Sequence, residues 1–363
     1  MNAKTDSGNL DLLRSCAVTF VLVFHLIRAF DVRVPLLDNL GHFGVLLFFV
    51  HTSLVLFFSL ERQNERDGPK PSKALEYARF MIRRVFRIYP ASVLLVLFVW
   101  CLDLPMSSIK NGRFGGVHLG VPSLLTNVFL VQNLTHTPSV LAPVWSLPYE
   151  VQMYIALPFL FWGVRRMSIL QVVTSWIAVA AACAIMPGSM LALWDMPTYA
   201  PCFFAGVVAY RLSRSVRPRF SFSVWPIMIA ALTLLYTAYR TNHQGTRAGW
   251  VCCFALGLSA PFFRELPRAL RPPFEIVARY SYGIYLVHYV TIWFAFERLA
   301  WLSRPAQWVV FVLVTAGASA LLYHGVERPL IRRGTKVANA LGEPRLSQHA
   351  VPEAEEIVLR ARP

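Results

Sequence analysis

Ten apolar stretches, each long enough to form a membrane-crossing helix, run through this 363-residue chain and restrict what it can fold into. A spanning helix needs about 20 mostly apolar residues, because the hydrocarbon layer of a bilayer is about 30 Å thick. By that measure we predict spans at residues 10–30, 42–60, 86–103, 147–163, 168–187, 197–211, 222–239, 247–263, 280–297 and 306–325. The sequence therefore predicts an all-α, polytopic membrane protein with about ten transmembrane helices.

The composition excludes two other classes of protein. Hydrophobic residues make up 56% of the chain and charged residues only 15%, whereas a soluble domain is about 25% charged. So few charges cannot cover a water-facing surface, which excludes an ordinary soluble protein and a disordered one. A formal charge of +16 can indicate nucleic-acid binding. Here the basic residues lie between apolar runs, so we expect no nucleic-acid partner.

The distribution of basic residues predicts the orientation in the membrane. They concentrate in alternate loops, most densely between residues 62 and 87, and cytoplasmic loops are the ones enriched in Lys and Arg. An even number of spans then places both termini in the cytoplasm. Residues 1–337 are predicted to form the transmembrane domain and 338–363 a cytoplasmic, disordered tail. The short stretch 119–134 contains a proline and two asparagines, which favours a re-entrant or interfacial segment.

The first span contains two ionisable residues, each of which costs about 2.5–3.5 kcal/mol at the centre of a membrane helix. Arg14 and His25 are about three helical turns apart, so both lie on one helix face, about 16 Å apart along the axis. Arg14 then lies near the cytoplasmic end and His25 beyond the midplane. We interpret them as an internal polar stripe rather than as a snorkelling arginine and a structural histidine.

Two arginines of the third span share a face at its cytoplasmic boundary. Arg84 and Arg87 are one helical turn apart, and a pair of guanidiniums suits the binding of phosphate groups. Anchoring under the positive-inside rule explains these arginines equally well. Pro90 follows, and it allows a kink whose freed carbonyl can bind a ligand.

The fourth span begins with the sequence VWSLPYEVQMY, which places a carboxylate in the first helical turn. Pro148 fits that turn, and Ser146 or the preceding loop can cap the helix. Glu150 and Tyr154 are four residues apart and share a face. We expect Glu150 near the depth of His25, where a carboxylate can orient the imidazole. The alternative is that Glu150 only satisfies the helix dipole.

The ninth span contributes Ser281, Tyr285 and His288 from the sequence SYGIYLVH. Tyr285 and His288 are three residues apart on one helix face and can support a site, although an aromatic belt at the membrane surface is the alternative. Among the other histidines, His51 is the strongest candidate, because it lies inside the second span.

Several well-known enzyme signatures are missing from the sequence. It has no G-x-S-x-G, G-x-x-x-x-G-K-[ST] or H-E-x-x-H pattern, which disfavours P-loop ATPases and zinc proteases. The six cysteines lie in or beside apolar stretches without metal-ligand spacing. We therefore expect no metal in the site.

Six motifs occur in an order that is known from one family. They are Arg14 with His25, GHFGVLLFFVHTS (41–53), RRVFRIYP (83–90), VWSLPYEVQMY (144–154), SYGIYLVH (281–288) and VERPL (326–330). Over about residues 8–335, the chain resembles the acyltransferase-3 family of bacterial integral-membrane O-acyltransferases, in its short stand-alone form. The resemblance implies that residues 1–337 are an acyltransferase domain in the bacterial inner membrane.

That resemblance also implies transfer of an acyl group, usually acetyl from acetyl-CoA, to a hydroxyl of a glycan or lipid-linked sugar. Arg14, Arg84 and Arg87 match family arginines and are expected to hold the phosphates of CoA. His25 matches the family histidine, as a general base or as a carrier of the acyl group, and Glu150 matches the acidic position that orients it. The residues expected to support the site or bind the acceptor are Trp145, Ser146, Tyr154, Tyr285 and His288. The partners are then acyl-CoA, the sugar acceptor and membrane lipid, with a homo-oligomer left open.

The sequence departs from the family pattern at two places. Thr52, Ser53 and Leu54 replace a Ser-Gly-Phe-like turn, which puts a role for His51 or Ser53 in doubt. Val151 stands where many members have a second glutamate, so Glu150 must act as the only carboxylate of this motif.

A secondary transporter of a sugar, lipid or acyl donor is the main alternative, because transporters also carry charges among many spans. The paired arginines and the absence of a visible internal repeat disfavour it. A structural partner in an envelope assembly is least favoured, because such a protein does not need the polar stripe.

Overall fold

The computed structural model describes residues 7–65, 71–242 and 247–341, which are mostly helical. The helices are α1 (Gly8–Ala29), α2 (Leu40–Asn64), α3 (Lys73–Cys101), α4 (Val121–Val128), α5 (Leu147–Val164), α6 (Ile169–Ala184), α7 (Gly188–Leu193), α8 (Ala200–Ser213), α9 (Val224–Asn242), α10 (Arg247–Ser259), α11 (Pro272–Trp293), α12 (Arg304–Leu322) and α13 (Arg328–Ala340). Within these ranges the only strands are β1 (Ser108–Lys110) and β2 (Arg113–Gly115), which pair as an antiparallel hairpin. The prediction of an all-α protein is therefore confirmed apart from this hairpin.

All ten segments that the sequence predicts as spans coincide with helices, namely α1, α2, α3, α5, α6 and α8 to α12. The helices extend beyond the apolar windows where polar residues continue the helical pattern. For example, α3 begins at Lys73, where the Ser72 side chain accepts a hydrogen bond of 3.3 Å from the backbone N–H of Leu75. A hydropathy window detects only the apolar part of such a helix.

Four helical stretches among the described residues are long and apolar enough to cross a membrane. They are Gly8–Ala29, Pro35–Asn64, Lys73–Cys101 and Arg304–Ala340. Four further apolar helices are shorter. The described residues therefore have the character of a membrane protein, and the figure of about ten spans stays a prediction.

The stretch 119–134 does not form a spanning helix. Its one helix, α4, has eight residues and is about 12 Å long, far less than the hydrocarbon thickness. The buried Asn127 side chain holds the following loop, donating to the carbonyl of Pro138 at 3.0 Å and accepting from the N–H of Val140 at 2.9 Å. This confirms the expected short segment, and it explains why an asparagine is buried there.

The outer surface of the bundle is strongly apolar. Large hydrophobic side chains project outward from several helices, and Leu313 and Leu321 of α12 are 66% and 75% exposed. Ile155 and Phe159 of α5 are also exposed, one turn apart on one face. Apolar faces on this scale are expected where lipid, rather than water, surrounds the protein.

Helix α2 lies at the centre of the bundle and packs against α1, α5 and α8. Its contact with α8 is close because Gly206 has no side chain: a Cβ there would lie 2.3 Å from the carbonyl oxygen of Val50. The Ser53 hydroxyl donates across the same contact to the carbonyl of Phe203 at 2.6 Å. Small residues at such a crossing let membrane helices approach closely. Ser53 therefore has a packing role.

Replacement of Gly206 by leucine is expected to force α2 and α8 apart and to lower the free energy of unfolding by about 1–3 kcal/mol or more. The measurement is the thermal unfolding midpoint of the purified protein in detergent. Gly163→Ala is the matched control, because nothing lies within 4 Å of a Cβ at that position of α5. An unchanged midpoint for Gly206→Leu would show that the helix contact is not tight.

Most of the predicted disordered tail, 338–363, lies outside the described residues. Its first residues continue α13, which ends at Ala340 and packs against α3. The Arg79 guanidinium donates to the carbonyl of Leu341 with an Nη2–O distance of 2.5 Å. Helix α13 thus extends slightly beyond the predicted boundary at residue 337.

Candidate active site

Three arginines from two helices converge on a cavity inside the bundle. Arg14 comes from α1, and Arg84 and Arg87 come from neighbouring turns of α3. Helices α2, α5 and α11 supply the rest of the wall. We call this space the arginine cavity. It brings together the three residues that the sequence predicted to hold phosphate groups.

These arginines have unused hydrogen-bonding capacity. The Nε atoms of Arg14 and Arg84 are shielded from solvent, yet they make no hydrogen bond to any described residue. In the described part of the chain, no carboxylate lies within 4.0 Å of the three guanidiniums to form an ion pair. Buried donors are nearly always satisfied, so an unsatisfied set facing a cavity indicates that an anionic ligand completes it.

A carboxylate and a phenol occupy another part of the same cavity wall. The hydroxyl of Tyr154 donates to the carboxylate of Glu150, and the hydroxyl of Thr52 donates to the same oxygen at 3.5 Å. Pro148 and Glu150 lie in the first turn of α5, as the sequence predicted. His51, whose role the sequence left in doubt, is buried and also lines the cavity.

Of the two expected caps of α5, Ser146 and the preceding loop, the side chain of Ser146 does not act as one. A short 3₁₀ turn, Ala142–Ser146, runs directly into the helix, so Ser146 already has helical backbone angles and makes no capping hydrogen bond. Its hydroxyl instead lies 2.6 Å from the hydroxyl of Tyr285 on α11. Tyr285 also donates to the carbonyl of Pro143 at 2.5 Å. The serine therefore joins α5 to α11 at the wall of the arginine cavity.

The imidazoles of His25 and His288 form a hydrogen-bonded pair between α1 and α11. Nδ1 of His25 lies 2.9 Å from Nε2 of His288 and 3.0 Å from the carbonyl oxygen of Val21. Nδ1 of His288 lies 3.0 Å from the carbonyl oxygen of Ile284. His288 is almost completely buried, whereas His25 is half-buried.

This pattern assigns the protons of the pair. A carbonyl only accepts, so in the neutral pair Nδ1 of each ring carries the hydrogen. Nε2 of His288 is then the acceptor of the hydrogen bond from His25. Nε2 of His25 is left with a free lone pair, which can take a proton or act as a nucleophile.

The histidine pair lies next to the arginine cavity. Tyr285, which lines the cavity, is one helical turn before His288, and the centroids of the two rings are 6.1 Å apart. Arg14 and His25 are both on α1, with the arginine at the cavity and the histidine further along the helix. A ligand held by the arginines can therefore extend toward His25.

The role expected for Glu150 is not what the structure shows. Its carboxylate contacts Tyr154 and Thr52 inside the arginine cavity, and His288 holds the imidazole of His25. The physical reason is that α1 faces α11 at this level, whereas α5 packs against α2 and α3. Sequence reasoning had noted His288 only as a supporting residue, and its position inside the ninth span was the available signal.

Trp145, which the sequence grouped with the acceptor site, belongs to a different aromatic cluster. Its ring stacks on His42 with a centroid separation of 6.0 Å and contacts Tyr149 and Tyr199. The nearby Tyr149 hydroxyl donates to the carboxylate of Asp195. The ring contacts of Trp145 in the described part of the chain do not include His25.

If His288 orients His25, then His288→Leu should lower kcat by about 10- to 100-fold, whereas the KM for the acyl donor should stay within about twofold. His288→Gln keeps an acceptor for the Nδ1 hydrogen and should recover part of the loss. The measurement is steady-state kinetics at varied donor concentration. Equal kcat for the leucine variant and the unaltered protein would exclude this positioning role.

Comparison with known proteins assigns the chain to a family. The model of a family described as an acyltransferase domain matches residues 7–324, which is most of the chain. The chain belongs to this acyltransferase family. It is accordingly an acyl-transferring enzyme, as the six motifs implied.

Two curated relatives are similar over most of this protein. The chain is 25% identical over 362 residues to "Peptidoglycan O-acetyltransferase OatA" of Listeria monocytogenes, and the match covers 90% of this chain and 56% of that protein. It is also 25% identical over 369 residues to "Putative peptidoglycan O-acetyltransferase YrhL" of Bacillus subtilis, covering 90% and 55%. The chain thus spans about half the length of the curated relatives it matches. No solved structure matches it significantly.

Proposed function

We propose that the enzyme transfers an acetyl group from acetyl-CoA to a hydroxyl of a cell-wall glycan. The observation that carries the proposal is the cavity with three unpaired arginines beside a histidine whose Nε2 is free. A transporter also needs a polar path, but it does not need an imidazole aligned by a second imidazole. The names of the two relatives support peptidoglycan as the kind of glycan.

The arginine cavity suits the donor. Coenzyme A carries several phosphate charges, and Arg14, Arg84 and Arg87 all line the cavity. The buried Nε atoms of Arg14 and Arg84 supply donors that no described residue satisfies. The apolar part of the wall, from Val45, Phe48 and neighbouring residues, suits the uncharged arm that carries the thioester. Serine and tyrosine hydroxyls line the cavity near the histidine pair.

His25 supplies the base for the transfer. Its Nε2 accepts the proton of the acceptor hydroxyl as that oxygen attacks the thioester carbonyl carbon. The carbon–sulfur bond then breaks, and the thiolate of CoA takes the proton back from His25. The positive charge that forms on the imidazole is shared with His288 through the Nδ1 hydrogen bond. Attack by Nε2 itself, giving an acyl-histidine before transfer, uses the same lone pair.

The arrangement in the membrane follows from the charges. We propose that about ten helices span the bacterial inner membrane, that both termini are cytoplasmic, and that the arginine cavity opens toward the cytoplasm, where CoA is found. The basic stretch at the start of α3 lies at that end. The acceptor then approaches His25 from the opposite end of α1.

Acetyl transfer by the purified protein in lipid nanodiscs tests the proposal. Radiolabelled acetyl-CoA and soluble peptidoglycan fragments are mixed with the protein, and label in the fragments is measured with time. We expect transfer that depends on the protein and on both substrates. Uptake of a sugar or of CoA into proteoliposomes, without any label in a glycan, would contradict it and favour a transporter.

A further inference from the structure

A second cavity lies at the opposite end of α1, beneath the turn of the β1–β2 hairpin. Its wall includes Ala29 at the end of α1. The turn residues Asn111 and Gly112 both have positive φ and line the cavity. A Cβ at Gly112 would lie 3.2 Å from the carbonyl oxygen of Ala29, so the hairpin rests directly on α1. We call this space the hairpin cavity.

The hairpin cavity approaches the catalytic histidine closely. Ala29 is four residues after His25 and so lies on the same face of α1, about 6 Å further along the axis. Phe114 of the cavity wall contacts Tyr289 with ring centroids 5.0 Å apart, and Tyr289 contacts His25 at 5.1 Å. Two aromatic rings thus lie between the hairpin cavity and His25.

The charges of the hairpin cavity differ from those of the arginine cavity. Two carboxylates, Asp31 and Glu297, balance two guanidiniums, Arg113 and Arg304. No excess of positive charge attracts phosphate, in contrast to the three arginines at the other end of α1. A balanced set of donors and acceptors suits an uncharged ligand that bears many hydroxyl groups.

Aromatic side chains supply the other half of a sugar-binding surface. Phe30, Phe114 and Phe296 line the hairpin cavity, and the Phe30 and Phe296 rings contact each other at 4.8 Å. Rings of this kind pack against the apolar C–H faces of a sugar ring. Glu297 also accepts a hydrogen bond of 3.2 Å from the N–H of Phe114, which fixes the hairpin over the cavity.

We infer that the hairpin cavity is the binding site for the sugar that receives the acyl group, with Asp31, Glu297 and Arg304 binding its hydroxyls. The inference rests on the proposed function and names the acceptor subsite for it. The Phe114 and Tyr289 rings separate the bound saccharide from the imidazole of His25, so they must shift for a hydroxyl to reach Nε2.

Kinetics with two varied substrates test the inference. Glu297→Gln and Arg304→Gln should each raise the KM for soluble peptidoglycan fragments by about tenfold or more, while the KM for acetyl-CoA stays within twofold. A residue that contributes only to folding is not expected to raise the KM for the fragments while leaving the KM for acetyl-CoA unchanged. Glu275→Gln is the matched control, because Glu275 is an exposed acid at the other end of α11. Unchanged acceptor KM in both cavity variants, or an equal rise in both constants, overturns the inference.

A labelling experiment decides the same question without turnover. Arg113→Cys, made in a protein whose Cys101 and Cys183 are replaced by serine, presents a thiol to a membrane-impermeant maleimide. Peptidoglycan fragments should slow its labelling at least fivefold, and CoA should not. If the unaltered protein transfers no acetyl, the proposed function fails, yet protection by fragments still supports a saccharide site. Labelling at the same rate with and without fragments overturns the inference that the hairpin cavity binds a saccharide.

Discussion

Replacement of His25 by alanine is expected to lower kcat for acetyl transfer by about 10²- to 10⁴-fold, the usual contribution of a positioned base. The hydrogen-bond pattern leaves Nε2 of His25 with the free lone pair that serves as the base, and alanine removes it. The binding of acetyl-CoA should be little changed, because the arginine cavity does not include His25. The measurement is initial rates in nanodiscs, together with a donor-binding titration.

His118→Gln is the matched control for this prediction. His118 is an exposed histidine that lies 3.0 Å from the carboxylate of Asp103, away from both cavities. Its replacement should leave kcat unchanged. If His25→Ala keeps more than half of the activity while the protein remains folded, then His25 is not the base.

The double replacement of Arg84 and Arg87 by glutamine is expected to weaken the binding of acetyl-CoA by about 100-fold or more. A hydrogen bond to a charged group contributes about 1.5–3 kcal/mol, so two lost guanidinium contacts remove at least 3 kcal/mol. The effect should be largest at low salt, because phosphate contacts are screened by ions. Binding is measured with fluorescent CoA over a range of salt concentrations.

Arg332→Gln provides the charge-matched comparison. Arg332 is an exposed basic residue of α13, which packs against α3 without lining the arginine cavity. Its loss changes the net charge of the same end of the bundle and should leave CoA affinity within twofold. Equal weakening by the control would mean that general positive charge, rather than the cavity, attracts the donor.

The helices could be predicted well because the signal is local. An apolar run of about 20 residues needs no knowledge of the rest of the chain, and all ten predicted segments are helical. The shared helix face of Arg84 and Arg87 could also be predicted from local sequence, because the two residues are one helical turn apart. Helix ends were less accurate, as at Lys73, because caps and polar extensions lie outside the apolar window.

The pairing of side chains across helices could not be predicted in the same way. His25 and His288 are 263 positions apart in sequence, and their contact depends on which helices are neighbours and how each is rotated. Depth in the membrane suggested Glu150 as the partner of His25, but depth contains no information about direction around the bundle. The hairpin cavity could not be predicted either, because residues distant in sequence form its wall. They come from the ends of α1 and α11 and from the hairpin between α3 and α4.

The two cavities together give a physical account of transfer between the two ends of the bundle. In the proposed mechanism, three guanidiniums hold an anionic donor at one end of α1 and the hairpin cavity receives a sugar at the other. His25 lies on α1 between the two cavities. Neither substrate has to pass through the protein, since only the acetyl group moves from one cavity to the other.

Sealed proteoliposomes with one substrate on each side test this central claim most directly. Acetyl-CoA is enclosed in the lumen, peptidoglycan fragments are added outside, and both the label in the fragments and the leakage of CoA are measured. The account predicts acetylated fragments outside from inserted protein whose arginine cavity faces the lumen, with no CoA released outside. Acetylation that occurs only when both substrates are in the same compartment would contradict it.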